Sequence, residues 1–271
     1  MAYDRIQTSG VVSGADMHIC ICLPLIAALS LGGSAVLKKL YKEIKMNRGI
    51  NMKKIILLAL CLILSSFILA GCSDGSEPFE EKSYTSDTRI NEIALDVQDR
   101  EIEVSLSEDE QVHIKYYENS KEYYDISVSD ENVLTMTSAS SKAWTDYIGG
   151  KPSAEDRKIF LQMPDSLLDD LTLSTTNENI SLPALTVKDN IALSSNGGDI
   201  AFEGLNAGKA ISLTAKNGDI SGTILGSYDD FAIRSEVKKG ESNLPGNKDS
   251  GEKTLDVSGN NGDVNIEFAA E

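Results

Sequence analysis

Leu193-Ser194-Ser195-Asn196-Gly197-Gly198-Asp199-Ile200 and, twenty positions later, Leu213-Thr214-Ala215-Lys216-Asn217-Gly218-Asp219-Ile220 carry one pattern. A short run with alternating apolar residues ends, Asn and Gly follow, and an Asp-Ile pair opens the next run. Asn and Gly adopt positive φ at little cost, so a turn between two short strands falls at this point. Asn261-Gly262-Asp263-Val264 repeats the turn, and Asn177-Glu178-Asn179-Ile180 is its weaker first copy.

Working outward, the strand before each turn recurs as Leu171-Thr172-Leu173, Ile191-Ala192-Leu193, Ile211-Ser212-Leu213 and Phe231-Ala232-Ile233, each twenty residues after the last. A fifth copy, Leu255-Asp256-Val257, follows after 24, the extra length falling in the Gly/Asn/Lys/Asp stretch 246–253. A second apolar column is Ile180, Ile200, Ile220 and Val264, with Gly240 in its place in the fourth copy; a third is Leu185, Leu205 and Leu225. Apolar positions alternate with Ser, Thr, Asp or Ala, which gives each strand one inward and one outward face.

A fixed period with short strands in every copy predicts an all-β solenoid, β-helix-like, with coils of about 20 residues stacked in chain order about 4.8 Å apart. Leucine-rich repeats share the period but not the pattern. Gly198 stands where their consensus leucine would follow the asparagine, and the return segments are too short and Gly-rich for helices. Residues 90–164 show the same alternation less regularly, as in Ile93-x-Leu95-x-Val97, Val112-x-Ile114-x-Tyr116 and Ile159-x-Leu161-x-Met163. The β-solenoid domain is therefore placed at 89–271.

The rest of the chain is different material. Of 25 basic and 42 acidic side chains, eight basic and three acidic fall before Cys72, leaving 17 basic and 39 acidic from there on. A basic leader before an acidic domain is the asymmetry of an exported protein. The acidic part is a poor partner for nucleic acid, whose affinity rests on Lys and Arg at the phosphates. Cys72 is the last of the four cysteines, so no disulfide and no multi-thiolate metal site forms within the domain, and no cofactor is expected.

Met52-Lys53-Lys54, an apolar run from Ile55 to Leu69 and Ala70-Gly71 make a secretory signal over 52–71. Leu69-Ala70-Gly71-Cys72 resembles the bacterial lipobox, which implies cleavage before Cys72 and lipid on its thiol. The chain is then expected at the extracytoplasmic face of the cell membrane, with 72–88 as a flexible tether. Residues 1–51 admit two readings. Ile19 to Leu37 is long enough to span a membrane; alternatively translation begins at Met52 and 1–51 is a mis-assigned extension.

The Asn-Gly-Asp turns at 217–219 and 261–263, Asn196-Gly197-Gly198-Asp199-Ile200 and the Leu-Thr-Leu-Ser strand at 171–174 resemble the bacterial putative-adhesin family, a domain of unknown function that includes LiaG-like lipoproteins. The resemblance covers about 90–268. It implies a non-catalytic role at the cell envelope, in adhesion, scaffolding or stress sensing, with a cell-wall polymer or surface protein as partner. The fourth copy, Val237-Lys238-Lys239-Gly240, departs from the pattern.

Candidate chemistry is sparse. Asp199, Asp219 and Asp263 recur in register, a carboxylate ladder open to Ca²⁺; the alternative is that each Asp accepts N–H bonds within its own turn. Tyr116, Tyr117, Tyr123, Tyr124, Trp144 and Tyr147 cluster as a platform for sugar rings or as ordinary strand aromatics. His113, between Val112 and Ile114, is expected to face outward without a special role, and with no second histidine after Cys72 a His-based metal site is excluded. Arg234, Lys238 and Lys239 near the ladder keep a polysaccharide-cleaving enzyme as the alternative function.

Overall fold

A computed structural model describes residues 77–143 and 151–270. Residues 1–51, the signal expected over 52–71, Cys72, Trp144 and Tyr147 lie outside the described residues. Among those described, no helix is long and apolar enough to cross a membrane. Gly75–Glu271 form one compact unit.

Alternation produces strands throughout. The first are β1 (Glu80–Thr85), β2 (Glu92–Asp96), β3 (Glu101–Leu106), β4 (His113–Glu118), β5 (Glu122–Val128), β6 (Val133–Ser140) and β7 (Lys158–Met163). The repeats supply β8 (Asp170–Thr175), β9 (Ile180–Val187), β10 (Asn190–Ser195), β11 (Ile200–Ala207), β12 (Ala210–Ala215) and β13 (Ile220–Leu225). Then come β14 (Phe231–Val237), β15 (Asn247–Lys248), β16 (Lys253–Gly259) and β17 (Val264–Ala269). They form two facing sheets, one ordered β1-β4-β7-β3-β9-β11-β13-β17, the other β15-β14-β16-β12-β10-β8-β2-β6-β5.

The expected twenty-residue register is present in the centre. Ile191 lies beside Leu171 and Ile211, and Ile200 beside Ile180 and Ile220, all in parallel strands. Equal spacing places like residues over like, so each apolar column is buried between the sheets. Each such Leu or Ile contributes about 1.5–3 kcal/mol by leaving water.

Stacking in chain order does not hold at either end. The strand beside β12 is β16 (Ile211↔Leu255), and the strand beside β13 is β17 (Ile220↔Val264). The fourth copy, β14, sits outside the fifth (Ile233↔Leu255). The cause is the missing second strand of the fourth copy: after Val237 only an isolated bridge, Ser242↔Val264, reaches the other sheet. Placed between the third and fifth copies, that half-coil would leave the β13 edge without N–H and C=O partners. Placed last, it closes the end, with Tyr228 and Phe231 on Phe268 (ring centroids 5.4 and 5.8 Å).

The same exchange occurs at the other end. β2 and β3 lie against β8 and β9 (Ile93↔Leu171, Ile102↔Ile180), although they precede them by 78 residues. β6 and β7, which follow in sequence, stack outside β2 and β3. Antiparallel strands complete this end: β5 on β6, β4 on β7 and β1 on β4.

Two local expectations are corrected. The third column continues through Ile224, not Leu225, because the register shifts by one between Phe202 and Leu205. The shift passes through Gly222, where a Cβ would lie 2.2 Å from the Phe202 carbonyl oxygen. The tether expected over 72–88 contains β1, fully paired with β4 from Glu80 to Thr85. Its Lys82-x-Tyr84 alternation is short and charged, which hid it from periodicity.

Candidate functional site

β1, β4, β7 and β3 run side by side, and their outward residues form two ranks across the sheet. One rank is Thr85, His113, Gln162 and Ser105. The next is Ser83, Lys115, Phe160 and Glu103. At strand spacing each rank spans about 14 Å. Between them lies a shallow hollow of about 500 Å³, open to solvent, with Phe160 and Tyr84 in its lining and residues bearing hydroxyl, amide, imidazole and ammonium groups around it.

These side chains are held in place. The Lys115 ammonium lies 4.4 Å from the centroid of the Phe160 ring, a cation–π contact. His113 Nε2 lies 3.0 and 3.1 Å from the two carboxylate oxygens of Asp109, and its Nδ1 lies 3.0 Å from Thr85 Oγ1. Asp109 in turn accepts the Gln111 N–H at 2.9 Å and the Ser107 hydroxyl at 2.9 Å. The Gln111 N–H, then His113 and Ser107, hold the Asp109 carboxyl below its ordinary pKa. The outward setting expected for His113 is present, but the expectation that it does nothing special is corrected: both ring nitrogens are engaged.

Asp, His and hydroxyl in a line also describe an activated nucleophile. Here the Asp109 and His113 side chains are 52% and 30% exposed, on an open sheet face. Water there screens the charges that a reaction would need stabilised. The arrangement orients an imidazole on a surface, which suits recognition.

The acidic neighbours of the hollow are neutralised elsewhere. Lys158 bridges Glu103 at 2.5 Å and Glu101 at 3.7 Å. The Tyr117 hydroxyl donates to Glu81 at 2.8 Å, which raises the tyrosine pKa, and Lys115 lies 3.7 Å from the same carboxylate.

A second polar cluster lies against the other sheet. Arg100 is 3% exposed and donates through Nε to Tyr124 Oη (2.6 Å), through Nη2 to Glu122 (3.0 Å) and through Nη1 to the Gln98 and Asp99 carbonyls. Phe79 and Tyr124 flank its guanidinium. Burial pushes the Tyr124 hydroxyl pKa up against the opposing effect of Arg100. Each guanidinium nitrogen finds an acceptor, so this is a structural clamp tying β5 to the β2–β3 turn.

The aspartate ladder exists, with a geometry different from the turn-internal bonds considered above. Asn179 Oδ1 accepts the Asp199 N–H, Asp199 Oδ1 the Asp219 N–H, Asp219 Oδ1 the Asp263 N–H, and Asp263 Oδ1 the Glu241 N–H, at 2.8–2.9 Å. Each carboxylate thus satisfies the next coil's backbone. Among the described residues, no group of three or more His, Cys, Asp or Glu side chains gathers as a metal-binding set. Of the aromatic cluster, Tyr116 and Tyr124 pack edge-to-face at 5.3 Å against the core, Tyr117 faces outward, and Tyr123 is exposed. Arg234 stands exposed on β14 opposite Asp256, and Lys238 and Lys239 follow on the end of the stack.

Sequence reasoning missed Ser83, Thr85, Lys115, Phe160 and Gln162. The available signal was phase: His113-x-Lys115-x-Tyr117 and Lys158-x-Phe160-x-Gln162 are outward positions of alternating strands. Nothing in that phase tells which strands lie together.

Fold and surface together define a β-solenoid with a polar, solvent-facing hollow. The chain belongs to the Toastrack DUF4097 family, whose pattern matches residues 90–227, just over half of its length. No curated protein matches it. Solved structures similar to it include a putative cell adhesion protein from Clostridium sporogenes (12% identity, TM-score 0.48, 70% of this chain and 100% of that one). A putative adhesin from Bacteroides fragilis (13%, 0.27, 72% and 98%) and a putative lipid binding protein from Parabacteroides distasonis (10%, 0.23, 69% and 96%) are further examples.

Proposed function

We propose that the chain is a non-catalytic binding module of the bacterial cell envelope, held at the extracytoplasmic face of the membrane by lipid on Cys72. It presents the hollow on β1, β4, β7 and β3 to a wall polymer. The observation that carries this reading is the pair of polar ranks around Phe160, preorganised on rigid strands and open to solvent. The leader that ends in Leu69-Ala70-Gly71-Cys72 supports the location, and the acidic domain supports export. A role near envelope stress sensing follows from the resemblance to LiaG-like lipoproteins.

Two measurements test it. Metabolic labelling with a fatty acid should mark the wild-type chain and not Cys72→Ala; equal labelling removes the anchor. Purified Gly75–Glu271 should be retained by envelope polysaccharide without releasing unsaturated sugars. Release of such sugars would establish the enzyme alternative, and absence of retention would remove the binding module.

A further inference from the structure

The domain that follows Cys72 carries 39 acidic side chains against 17 basic ones. The hollow reverses that balance. Among the described residues lining it there is no carboxylate, while Lys115 and His113 both stand at its wall. The nearest acids are already engaged: Glu101 and Glu103 by Lys158, Asp109 by His113, and Glu81 by the Tyr117 hydroxyl. Lys115 keeps only a loose 3.7 Å approach to Glu81, with its ammonium 4.4 Å from the centroid of the Phe160 ring. An aromatic face flanked by a cation, an imidazole and the Gln162 amide is complementary to a ring bearing hydroxyls and one negative charge.

We infer that the hollow takes an anionic sugar unit of an envelope polymer, a saccharide bearing a carboxylate or a phosphate. The sugar lies against Phe160 and the Lys115 ammonium beside it faces the charge, while Gln162 and Ser83 reach its hydroxyls. Elsewhere the negative domain repels such a polymer, so its charge itself confines binding to this place. The inference rests on the binding-module reading above and specifies its ligand.

The test uses Gly75–Glu271, a compact unit with its own core, labelled with ¹⁵N. It is titrated separately with oligogalacturonate, poly(glycerol phosphate), neutral cello-oligosaccharides and phosphatidylglycerol vesicles. The carboxylate or the phosphate oligomer should shift the amides of His113–Tyr117 and Lys158–Gln162, and the responding arm names the source of the charge. Lys115→Gln, an exposed change with its melting temperature checked, should weaken that binding roughly fivefold, and high salt should do the same. Cello-oligosaccharide binding as tight as the anionic oligomers, or an unchanged affinity in Lys115→Gln, overturns the anionic ligand and leaves a binding module. A response to the vesicles alone overturns the sugar. If no probe shifts these amides, the hollow as a glycan site falls, and with it the function proposed above.

Discussion

Asp219 Oδ1 accepts the backbone N–H of Asp263 at 2.8 Å, although 44 residues separate them. This bond places the fifth repeat against the third and makes a side chain complete the backbone of its neighbour. Removing the acceptor in Asp219→Ala should cost about 1 kcal/mol in urea unfolding, and Asp219→Asn should recover most of it. A loss of the same size in Asn would assign the effect to charge. Because these oxygens already serve backbone donors, Ca²⁺ is expected to leave the melting temperature unchanged. A rise that Asp219→Asn abolishes would establish a calcium site at Asp199, Asp219 and Asp263.

The exchanged order of the coils can be trapped covalently. Ser212 lies beside Asp256, and no cysteine follows Cys72. Ser212→Cys/Asp256→Cys should therefore cross-link on oxidation, since neighbouring strands bring Cα atoms within disulfide reach. Ser212→Cys/Ala232→Cys, which chain-order stacking would bring together, should stay reduced. The opposite result on gel mobility would restore chain order.

Gly218 is a tight point of the turn column. A Cβ there would stand 2.1 Å from the Gly198 carbonyl oxygen, with Gly262 stacked equally closely above. Gly218→Ala should cost about 3 kcal/mol or prevent folding. Gly246→Ala, whose nearest contact would be 3.8 Å, should be close to neutral in the same thermal melt.

The clamp at Arg100 predicts a graded series. Glu122→Gln leaves a buried guanidinium without its counter-charge and should destabilise by about 3 kcal/mol. Tyr124→Phe removes one acceptor and should cost about 1 kcal/mol. Arg100→Lys should not rescue the clamp, because an ammonium cannot reproduce the fork that reaches Tyr124, Glu122 and two carbonyls. Stability of Arg100→Lys equal to wild type in chemical denaturation would contradict this.

Acid should expose the contribution of Asp99. Burial raises its pKa, but hydrogen bonds from Asn177 and Thr176 and the charges of Lys151 and Arg100 outweigh that effect and leave it lowered. A lowered carboxyl pKa stabilises the fold above the unfolded value, and the gain is lost as pH falls through the folded value. The urea midpoint should therefore drop on acidification below the ordinary aspartate range, and less so in Asp99→Asn. Identical pH profiles for the two would show that Asp99 adds nothing.

Strand, turn and face were legible because their causes are local. Ile191-x-Leu193 must alternate to bury one side, and Asn217-Gly218 suits a turn wherever the rest of the chain goes. Leu225 misled because a one-residue shift at Gly222 turns Ile224 inward, and no residue pattern announces that shift. His113 was placed outward by alternation alone; its partners Thr85 and Asp109 come from a neighbouring strand and a preceding loop.

By itself, then, the sequence determined that the chain after the leader is β, that its coils number about 20 residues and that its turns carry an aspartate ladder. Tertiary structure alone decided which coil touches which, and so where the hollow lies. Every strand edge offers the same N–H and C=O groups, so pairing is chosen by which arrangement leaves fewest edges unsatisfied over the whole chain. At the end closed by the antiparallel strands, that choice brings Ser83, Thr85, Ser105, His113, Lys115, Phe160 and Gln162 to one surface.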